Sequence, residues 1–457
     1  MRRHAVVLPL ALALVFGASQ APGQFIARDP GVRGGAPGAG DPLAGLTPAQ
    51  QAVFDAGRDD FAEQDTLGSG LGPRFNLDSC AGCHAQPATG GSSPAVNPQV
   101  GVATAFGARN NVPFFIRPNG PVREVRFKYK PDGSRDGGVH ALFVISGRVD
   151  PTGNATGCTI TQDDFEGNYL RGNAIFRIPT PTFGAGLIEM IPDYVIVANQ
   201  RAGAMLKASL GIGGRPHFIL PTGNANRNGN DGTIARFGWK AQNKSLLLFA
   251  GEAYNVEQGI TNELFQTERE EDLNCQFAPV PNDTTTLDGV EARNVLNGPQ
   301  KFAFFMKFLA PPTPSPDTPG GSASIARGRL LFAATGCALC HTPSLTTGPS
   351  VTPAFDRQPV NLFSDVLLHN MGAGLADDIL QGAAGPDEFR TAPLWGLGQR
   401  IFFLHDGRTT DLVVAINAHR SPATIRYRAS EANIVVDRLR GLGEGQKQDL
   451  LNFLRSL

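Results

Sequence analysis

Two stretches of the sequence place two cysteines, separated by two residues, directly before a histidine. The members of these Cys-x-x-Cys-His motifs are Cys80, Cys83 and His84 in "CAGCH" and Cys337, Cys340 and His341 in "CALCH". The thiols of such a motif can add to the vinyl groups of a haem as thioethers, and the histidine is then held beneath the iron as an axial ligand. The sequence therefore predicts two covalently bound haem c groups.

A zinc site and a thioredoxin-like dithiol are the other interpretations of these cysteines. Zinc prefers four ligands from clustered pairs, and a redox dithiol belongs to a βαβ context that the sequence lacks. Each motif instead follows a Gly-Arg-x-x-Phe segment of helical pattern, which begins at Gly57 and at Gly328. Two such matches favour covalent haem, with the histidine of each motif as an iron ligand, and a zinc module is the distant alternative.

The second axial position of the C-terminal haem has several candidate ligands. The histidines and the methionine that follow the second motif are His369, Met371, His405 and His419. His419 lies on the apolar face of a helix for which Thr409 or Thr410 is the expected N-cap. We expect His419 to be the distal iron ligand, with Met371 as the alternative and His405, in a turn, at the edge of the site. A hydrogen-bonded core residue is the other interpretation of His419.

The N-terminal haem has no comparable ligand close by in sequence. After His84, only His140 and His217 precede the second motif. A structural role is expected for both, so the distal position is expected to be open or weakly filled, and a contact of either histidine with the iron is the alternative. An open distal position can bind peroxide, and cleavage of the O–O bond needs a group that moves a proton. Glu189, in "FGAGLIEMIPD", is the candidate, because apolar neighbours tend to keep a carboxyl protonated at neutral pH. A helix-terminal or salt-bridged glutamate is the alternative.

Two further features have a possible role beside the haems. Trp239 and Trp395 could assist electron transfer between the haems, although packing is the expected role of Trp395. The polar run "GNANRNGNDG" at 223–232 offers Asn and Asp oxygens to a calcium ion, and a plain surface loop is the alternative.

Composition and the first residues indicate the compartment and exclude some partners. The 40 basic and 41 acidic residues give a net charge of −1, which indicates no nucleic-acid partner. Residues 1–23 carry two arginines and a short apolar run, as a secretory signal peptide does, and no stretch is long enough for a membrane span. We therefore expect a periplasmic protein. In that oxidising compartment Cys158 and Cys275, which belong to neither motif, are expected to form a disulfide.

The chain divides at breaks in composition. Residues 24–45 are rich in Gly, Pro and Ala and are expected to form a flexible lead-in after the signal peptide. The proline-rich segment 311–324 is expected to be an extended linker. The N-terminal unit is then 46–310, and the C-terminal unit is 325–457.

The two units share more than the cysteine motifs. The glycine of each Gly-Arg-x-x-Phe segment lies one helical turn before the phenylalanine, and a second helix can cross closely over a glycine in that position. The segment "TPTFGAG" at 180–186 is similar to "APLWGLG" at 392–398, which indicates an internal duplication. Alternating apolar and polar residues at 123–149 predict β-structure, so the N-terminal unit carries a large insertion from about 96 to 310.

Several longer segments resemble the bacterial di-haem oxidoreductases of the peroxidase type, some of which are described as thiol oxidoreductases. The segments are "GLGPRFNLDSCAGCHAQPATGGSSPAVNPQ", "RIPTPTFGAGLIEMIPD", "RFGWKAQ", "LLHNMGAGLADDI" and "RTAPLWGLGQRIFFLHDGRTTDL", within about residues 42–457. The resemblance implies a mainly α fold of two cytochrome c-like haem domains, with a large α+β insertion in the first. It also implies a distant kinship with di-haem cytochrome c peroxidases.

In those peroxidases the N-terminal haem is the peroxide site, and the C-terminal haem receives electrons. The "HDG" at 405–407 looks like one of their motifs, but they have a methionine ligand at about the place where His419 stands. A His/His iron has a lower potential than a His/Met iron, so the electron donor is expected to differ. The large insertion, with Cys158 and Cys275, also departs from the short peroxidases.

These features together predict a periplasmic di-haem c-type cytochrome oxidoreductase of the peroxidase kind. Its N-terminal haem is expected to react and its C-terminal haem to relay electrons. The expected partners are a small redox protein or other electron donor, and peroxide or a similar small oxidant. A pure electron-transfer di-haem cytochrome and a di-haem enzyme that oxidises a protein partner are the alternatives.

Overall fold

The computed structural model describes residues 26–218, 233–269 and 272–457, and it is rich in helices joined by long irregular segments. The helices are α1 Pro48–Ala62, α2 Cys80–Cys83, α3 Gln99–Val102, α4 Phe165–Leu170, α5 Ala185–Glu189, α6 Asp193–Arg201, α7 Ala204–Ser209, α8 Leu246–Gln258, α9 Ala292–Val295, α10 Gly298–Phe308, α11 Ser322–Thr335, α12 Leu412–Ala418, α13 Asn433–Arg440 and α14 Glu444–Ser456.

The strands are short and form small antiparallel sheets. They are β1 Arg74–Phe75, β2 Glu124–Phe127, β3 Val139–His140, β4 Phe143–Val144, β5 Val149–Asp150, β6 Gly153–Asn154, β7 Ala174–Arg177, β8 His217–Phe218, β9 Ile234–Ala235, β10 Leu345–Thr346, β11 Pro359–Val360, β12 Leu368–Asn370 and β13 Glu388–Arg390. The pairs are β1–β4, β5–β6, β8–β9, β10–β11 and β12–β13, and β2 lies between β3 and β7.

Two helix pairs have equivalent contacts in the two halves of the chain. A Cβ on Gly57 of α1 would lie 2.2 Å from the backbone oxygen of Lys301 in α10. A Cβ on Gly328 of α11 would lie 2.0 Å from the backbone oxygen of Asp449 in α14. Such distances exclude any side chain larger than hydrogen at these crossings. The expectation that a second helix crosses over each of these glycines is confirmed.

The second repeated segment packs on the end of the same helices. A Cβ on Gly186 would lie 1.9 Å from the backbone oxygen of Lys307 in α10, and a Cβ on Gly398 would lie 2.3 Å from that of Arg455 in α14. The two halves therefore repeat not only sequence segments but also the contacts between them, as an internal duplication requires.

The segment between the repeated elements of the first half contains the predicted β-structure. Val125 of β2 pairs with His140 of β3 on one side and with Phe176 of β7 on the other. The expected disulfide is present, because Cys158 and Cys275 are bonded with their Cα atoms 4.9 Å apart. Both cysteines are buried in a hydrophobic cluster that also contains Val125. The disulfide therefore joins distant parts of this segment at its core.

The largest hydrophobic cluster joins the two halves. It contains Phe302, Phe305 and Phe308 of α10 together with Phe355 and Leu362 of the second half. The rings of Phe308 and Phe355 lie 5.9 Å apart. The halves consequently share a buried core.

The segments expected to be flexible or extended make specific contacts. Asp29, in the expected flexible lead-in, pairs with Arg455 of α14 at 2.7 Å, and both side chains are buried. Composition alone does not reveal this long-range ion pair. In the proline-rich segment 311–324, α11 already begins at Ser322. Within the described residues, no helix has the length and apolar character that crossing a membrane requires.

Candidate functional site

The second Cys-x-x-Cys-His motif borders a cavity of about 220 Å³, here called the C-terminal cavity. α11 ends at Thr335, and Gly336 follows with φ +102°, a conformation that favours glycine and turns the chain into the motif. Residues from several elements complete a mainly apolar wall, among them Phe332, Leu397, Phe403, Ala415, Val435, Val436, Leu450 and Leu454.

Two histidines in this cavity have the same hydrogen-bond arrangement. The Nδ1 of His341 donates to the backbone oxygen of Phe363 at 3.0 Å, and the Nδ1 of His419 donates to that of Ala415 at 2.8 Å. Neither Nε2 has a hydrogen-bond partner among the described residues. A ring whose Nδ1–H is held by a carbonyl keeps its Nε2 lone pair for a metal.

Burial keeps these two rings in the neutral form. Burial, and next the neighbouring His419, lower the pKa of His341 to about 4. Burial lowers the pKa of His419 as well. A neutral imidazole is the form that ligates iron. The structure thus brings His341 and His419 to one cavity as two potential axial ligands.

His369 lines the same cavity, but both of its ring nitrogens are engaged. One nitrogen lies 2.9 Å from Asp365 and the other 2.7 Å from Glu431. Although burial disfavours the charged ring, the neighbouring Cys340 and Asp365 hold the pKa of His369 well above its usual value. Because carboxylates engage both of its ring nitrogens, neither nitrogen of His369 is available to a metal.

Met371 and His405 also line the C-terminal cavity. Met371 packs in a small hydrophobic cluster with Phe389, and the His405 ring stacks on the same Phe389 at 4.4 Å. Burial lowers the pKa of His405 to about 4. Met371 therefore remains the alternative distal ligand, and His405 stands beside it on the wall.

The helix that carries His419 begins later than the sequence suggested. Its N-cap is Asp411, whose carboxylate accepts from the backbone nitrogen of Val414 at 2.9 Å, so neither Thr409 nor Thr410 is the cap. An ionised carboxylate is a strong cap because it also complements the helix dipole. His419 stands at the C-cap of α12.

The first motif borders a second cavity of about 160 Å³, here called the N-terminal cavity. The Nδ1 of His84 donates to the backbone oxygen of Gly91 at 2.9 Å, as His341 does to Phe363 in the other half. The ring of Phe61 lies 5.8 Å from His84, and that of Phe332 lies 6.5 Å from His341. Burial lowers the pKa of His84 to about 4. The two motif histidines are therefore held in the same way.

The motif cysteines are free thiols. Burial raises the pKa of Cys80, Cys83 and Cys337. A redox dithiol needs a lowered thiol pKa, so these thiols do not suit that role. Among the described residues, no group of three or more His, Cys, Asp or Glu side chains is arranged to hold a metal ion directly. Two free thiols beside an available imidazole at an apolar cavity do fit covalent haem.

A pair of carboxyl groups lines the N-terminal cavity, and the sequence analysis missed it. Glu257, near the end of α8, accepts from Asn76 Nδ2 at 2.7 Å. Burial, and next the charge of Glu124, raise the pKa of Glu257 to about 8. Glu124 in turn is hydrogen-bonded to Glu257 and forms an ion pair with Arg126. This cavity therefore holds a carboxyl that retains a proton at neutral pH.

The two cavities differ in the other side chains that line them. Among the described residues, His84 is the one histidine of the N-terminal cavity. Met306 of α10 also lines the N-terminal cavity. Phe305 lies at the crossing with Gly57 as Phe453 lies at the crossing with Gly328. The next residues, Met306 in α10 and Leu454 in α14, therefore correspond, and each lines the cavity of its own half. Met306 is thus a wall residue. Glu124 and Glu257 line the N-terminal cavity, and among the described residues no second histidine lines it.

Glu189, the carboxyl proposed from the sequence, is placed elsewhere. It ends α5 and accepts from the backbone nitrogen of Leu246, at the start of α8, at 2.8 Å. It also lies 3.4 Å from the ammonium group of Lys307. Among the described residues that line the N-terminal cavity, Glu189 does not occur. Its contacts are those of a helix-capping, salt-bridged glutamate.

A small cavity of about 30 Å³, here called the middle cavity, lies between the other two. Trp239 borders all three cavities, and its Nε1 donates to the backbone oxygen of Ile178 at 2.9 Å. Trp395 borders the middle cavity and packs closely against Gly184. Trp239 is therefore the aromatic side chain that separates the two larger cavities.

The remaining histidines of the described residues, His140 and His217, have structural partners. The nitrogens of His140 lie 2.7 Å from Asp163 and 3.0 Å from Asp136. His217 bonds through one nitrogen to the backbone of Lys240 and through the other to that of Ala383. The expected structural role of both is confirmed. The polar run at 223–232, considered for calcium, lies outside the described residues.

The fold and the two cavities define a helix-rich protein with two candidate haem sites. Residues 125–457 match the sequence model of a family described as "Di-haem oxidoreductase, putative peroxidase", and the chain belongs to that family. The family implies haem cofactors. The matched segment includes the second motif and begins after the first, so the assignment of the N-terminal cavity rests on its geometry.

Two solved structures share a limited likeness with the chain. Hydrazine synthase of Kuenenia stuttgartiensis, studied under xenon pressure, is 13% identical, with 98% of this chain and 100% of that chain covered and a TM-score of 0.33. A MauG-like protein associated with microbial copper homeostasis is 16% identical, with 61% of this chain and 89% of that chain covered and a TM-score of 0.28. No curated protein matches the chain.

Proposed function

We propose that the chain is a periplasmic di-haem c-type oxidoreductase that reduces peroxide at the N-terminal cavity and receives electrons at the C-terminal cavity. Each haem would be attached through one Cys-x-x-Cys-His motif, in one of two cytochrome c-like units, with a large insertion in the first. The signal-peptide pattern of residues 1–23 supports export. Export supplies the compartment in which the Cys158–Cys275 disulfide is stable.

The difference between the cavities is the observation that carries the proposal. In the C-terminal cavity, His341 and His419 offer two neutral imidazoles, both of which would be available to hold the iron of a haem. In the N-terminal cavity, His84 is the one histidine among the described residues, and the carboxyl groups of Glu124 and Glu257 line the same cavity. Bound haem supplies an iron that exchanges electrons and, where a position is open, takes up a small oxidant. The N-terminal cavity is therefore proposed as the reactive one.

The carboxyl pair of the N-terminal cavity supplies the proton chemistry. Reduction of one hydrogen peroxide to two waters consumes two electrons and two protons. Glu257 holds a proton at neutral pH, and its hydrogen bond to Glu124 lets the pair share and replace that proton. Asn76 orients Glu257, and Arg126 orients Glu124. Glu257 is therefore proposed as the general acid, in place of Glu189.

Electrons would pass between the cavities at Trp239. This side chain borders both of them, and its Nε1 is fixed by the backbone oxygen of Ile178. The donor that delivers the electrons is proposed to be a small redox protein or a comparable reductant. A pair of imidazoles at the C-terminal iron favours a donor of low potential.

The resting spin states of the two haems test this proposal. We expect electron paramagnetic resonance of the oxidised protein to show one low-spin and one high-spin haem, and we expect peroxide to change only the high-spin signal. Two low-spin signals that peroxide leaves unchanged would contradict the proposal and identify an electron-transfer cytochrome. A control measurement with the Glu189→Gln variant should reproduce the wild-type signals, because Glu189 does not line the N-terminal cavity.

A further inference from the structure

Two arginines, Arg390 and Arg400, border both the C-terminal cavity and the middle cavity. Arg390 is 8% exposed, and its guanidinium donates only to backbone oxygens, to Gly238 at 2.9 Å and to Thr391 at 3.3 Å. Arg400 is partly buried on the same wall. Within residues 26–218, 233–269 and 272–457, neither guanidinium forms an ion pair with a carboxylate.

Arg390 differs in this respect from the other buried arginines of the described chain. Each of those pairs with a carboxylate: Arg126 with Glu124, Arg148 with Asp78, Arg177 with Asp377, Arg236 with Asp193 and Arg455 with Asp29. A buried cation without an anion is costly, because transfer from water is compensated only by pairing. The fold thus pairs its buried guanidinium groups, with Arg390 as the exception.

Arg400 adds a second positive charge without a carboxylate partner to the wall that the C-terminal and middle cavities share, within the described residues. Burial, and next the charge of Arg400, lower the pKa of Arg390 to about 10, and burial lowers that of Arg400 to about 10. Both groups remain cations at neutral pH. Two neighbouring cations that border an apolar cavity require an anion in that cavity.

We propose that Arg390 and Arg400 bind the propionate carboxylates of the haem in the C-terminal cavity, an inference that rests on the proposed function. A haem carries its vinyl groups and its propionates on opposite edges. Cys337 and Cys340 pack against a cluster that includes Val435, and among the described residues that border the middle cavity neither cysteine occurs, whereas both arginines do. Thioethers and guanidinium groups would therefore hold the opposite edges of one haem.

The arginines would also set the potential of that haem. A fixed positive charge in a cavity of low dielectric constant favours the reduced, less positive iron. Arg390 and Arg400 would thus raise a potential that two imidazole ligands lower. Guanidinium is suited to this role, since it pairs with carboxylates in a bidentate manner and is always charged.

The test compares two neutralising variants in the full-length, haem-loaded protein. Arg390→Gln and Arg400→Gln should each lower the midpoint potential of the C-terminal haem by about 59 mV. This shift corresponds to a roughly tenfold change in the equilibrium constant for one-electron reduction of the haem. Each should also shift the propionate-bending band in resonance Raman spectra. Arg390→Lys and Arg400→Lys, which keep the charge, should restore most of the potential. Arg327→Gln is the control, because Arg327 is exposed and pairs with Asp449 at the surface.

Three results would overturn the inference. Unchanged potentials and Raman bands in both Gln variants, with two haems still bound, would refute the propionate site while leaving the proposed function intact. A wild-type potential that shifts when acetate or phosphate is added would show that the arginines bind a free anion instead. A protein without haem would refute the proposed function itself, and the propionate site with it.

Discussion

His341 and His419 line one cavity, and each is held by a hydrogen bond from Nδ1 to a backbone oxygen, which leaves both Nε2 atoms available. The corresponding arrangement in the N-terminal cavity involves His84 alone among the described residues. One site with two histidines held in this way and one site with a single such histidine are what a protein needs if one haem relays electrons and the other reacts.

The first prediction concerns the ligands of the C-terminal iron. Replacement His419→Gly removes one imidazole, so we expect the low-spin signal of the C-terminal haem to change to another spin state. The N-terminal signal should not change. Met371→Leu is the matched control, since it removes the alternative ligand from the same cavity. A spectrum altered by Met371→Leu and not by His419→Gly would assign the position to methionine.

The second prediction concerns the proton donor. Glu257→Gln keeps the shape of the side chain but removes the titratable proton, and we expect peroxide turnover to fall by about 10²- to 10⁴-fold. Glu189→Gln should leave turnover close to the wild-type value, because Glu189 contacts Leu246 and Lys307 outside the N-terminal cavity. Steady-state peroxide assays of both variants decide between the two carboxyl groups. The opposite pattern would restore Glu189 to the role inferred from sequence.

The third prediction is a pH dependence. Burial and Glu124 raise the pKa of Glu257 to about 8, so its carboxyl is protonated below that pH and ionised above it. A general acid is active in the protonated form, and kcat/KM for peroxide should therefore fall as the pH rises through about 8. This fall in kcat/KM at alkaline pH should be absent from the profile of the Glu257→Gln variant. A wild-type profile that is flat across this range would argue against a protonated Glu257.

The fourth prediction concerns the helix crossings. In Gly57→Ala the new methyl group would meet the backbone oxygen of Lys301, and in Gly328→Ala that of Asp449, so the helices must move apart. We expect each change to lower the free energy of unfolding by about 1–3 kcal/mol, as overpacking does. Gly445→Ala in α14 meets nothing within 4 Å and should be neutral or slightly stabilising. Denaturant unfolding of the three variants measures the difference.

The local features of this protein were predictable from sequence. The cysteine motifs, the glycine crossings and the β-structure at 123–149 depend on spacings within a few residues, and the latter two are confirmed. His419 could be placed on an apolar helix face, because helical periodicity alone determines that face. The Cys158–Cys275 pair followed from counting the cysteines left over by the motifs.

The features that depend on distant parts of the chain were not predictable. Glu257 and Glu124 meet at the first motif only after the insertion has folded, and the apolar face of α8 was the one signal that could have indicated Glu257. Glu189 was selected for its apolar neighbours in sequence, yet in the fold its carboxylate turns to Leu246 and Lys307. A pattern of neighbours does not show which partner a charged side chain reaches.

The haem content of the exported protein is the most direct test of the central claim, that each cavity holds one covalently attached haem. Mass spectrometry after expression with a working cytochrome maturation system should show two haems per chain. The double variants Cys80→Ser/Cys83→Ser and Cys337→Ser/Cys340→Ser should each retain one. A wild-type chain that carries no haem, or a variant pair that leaves the haem count unchanged, would contradict this account.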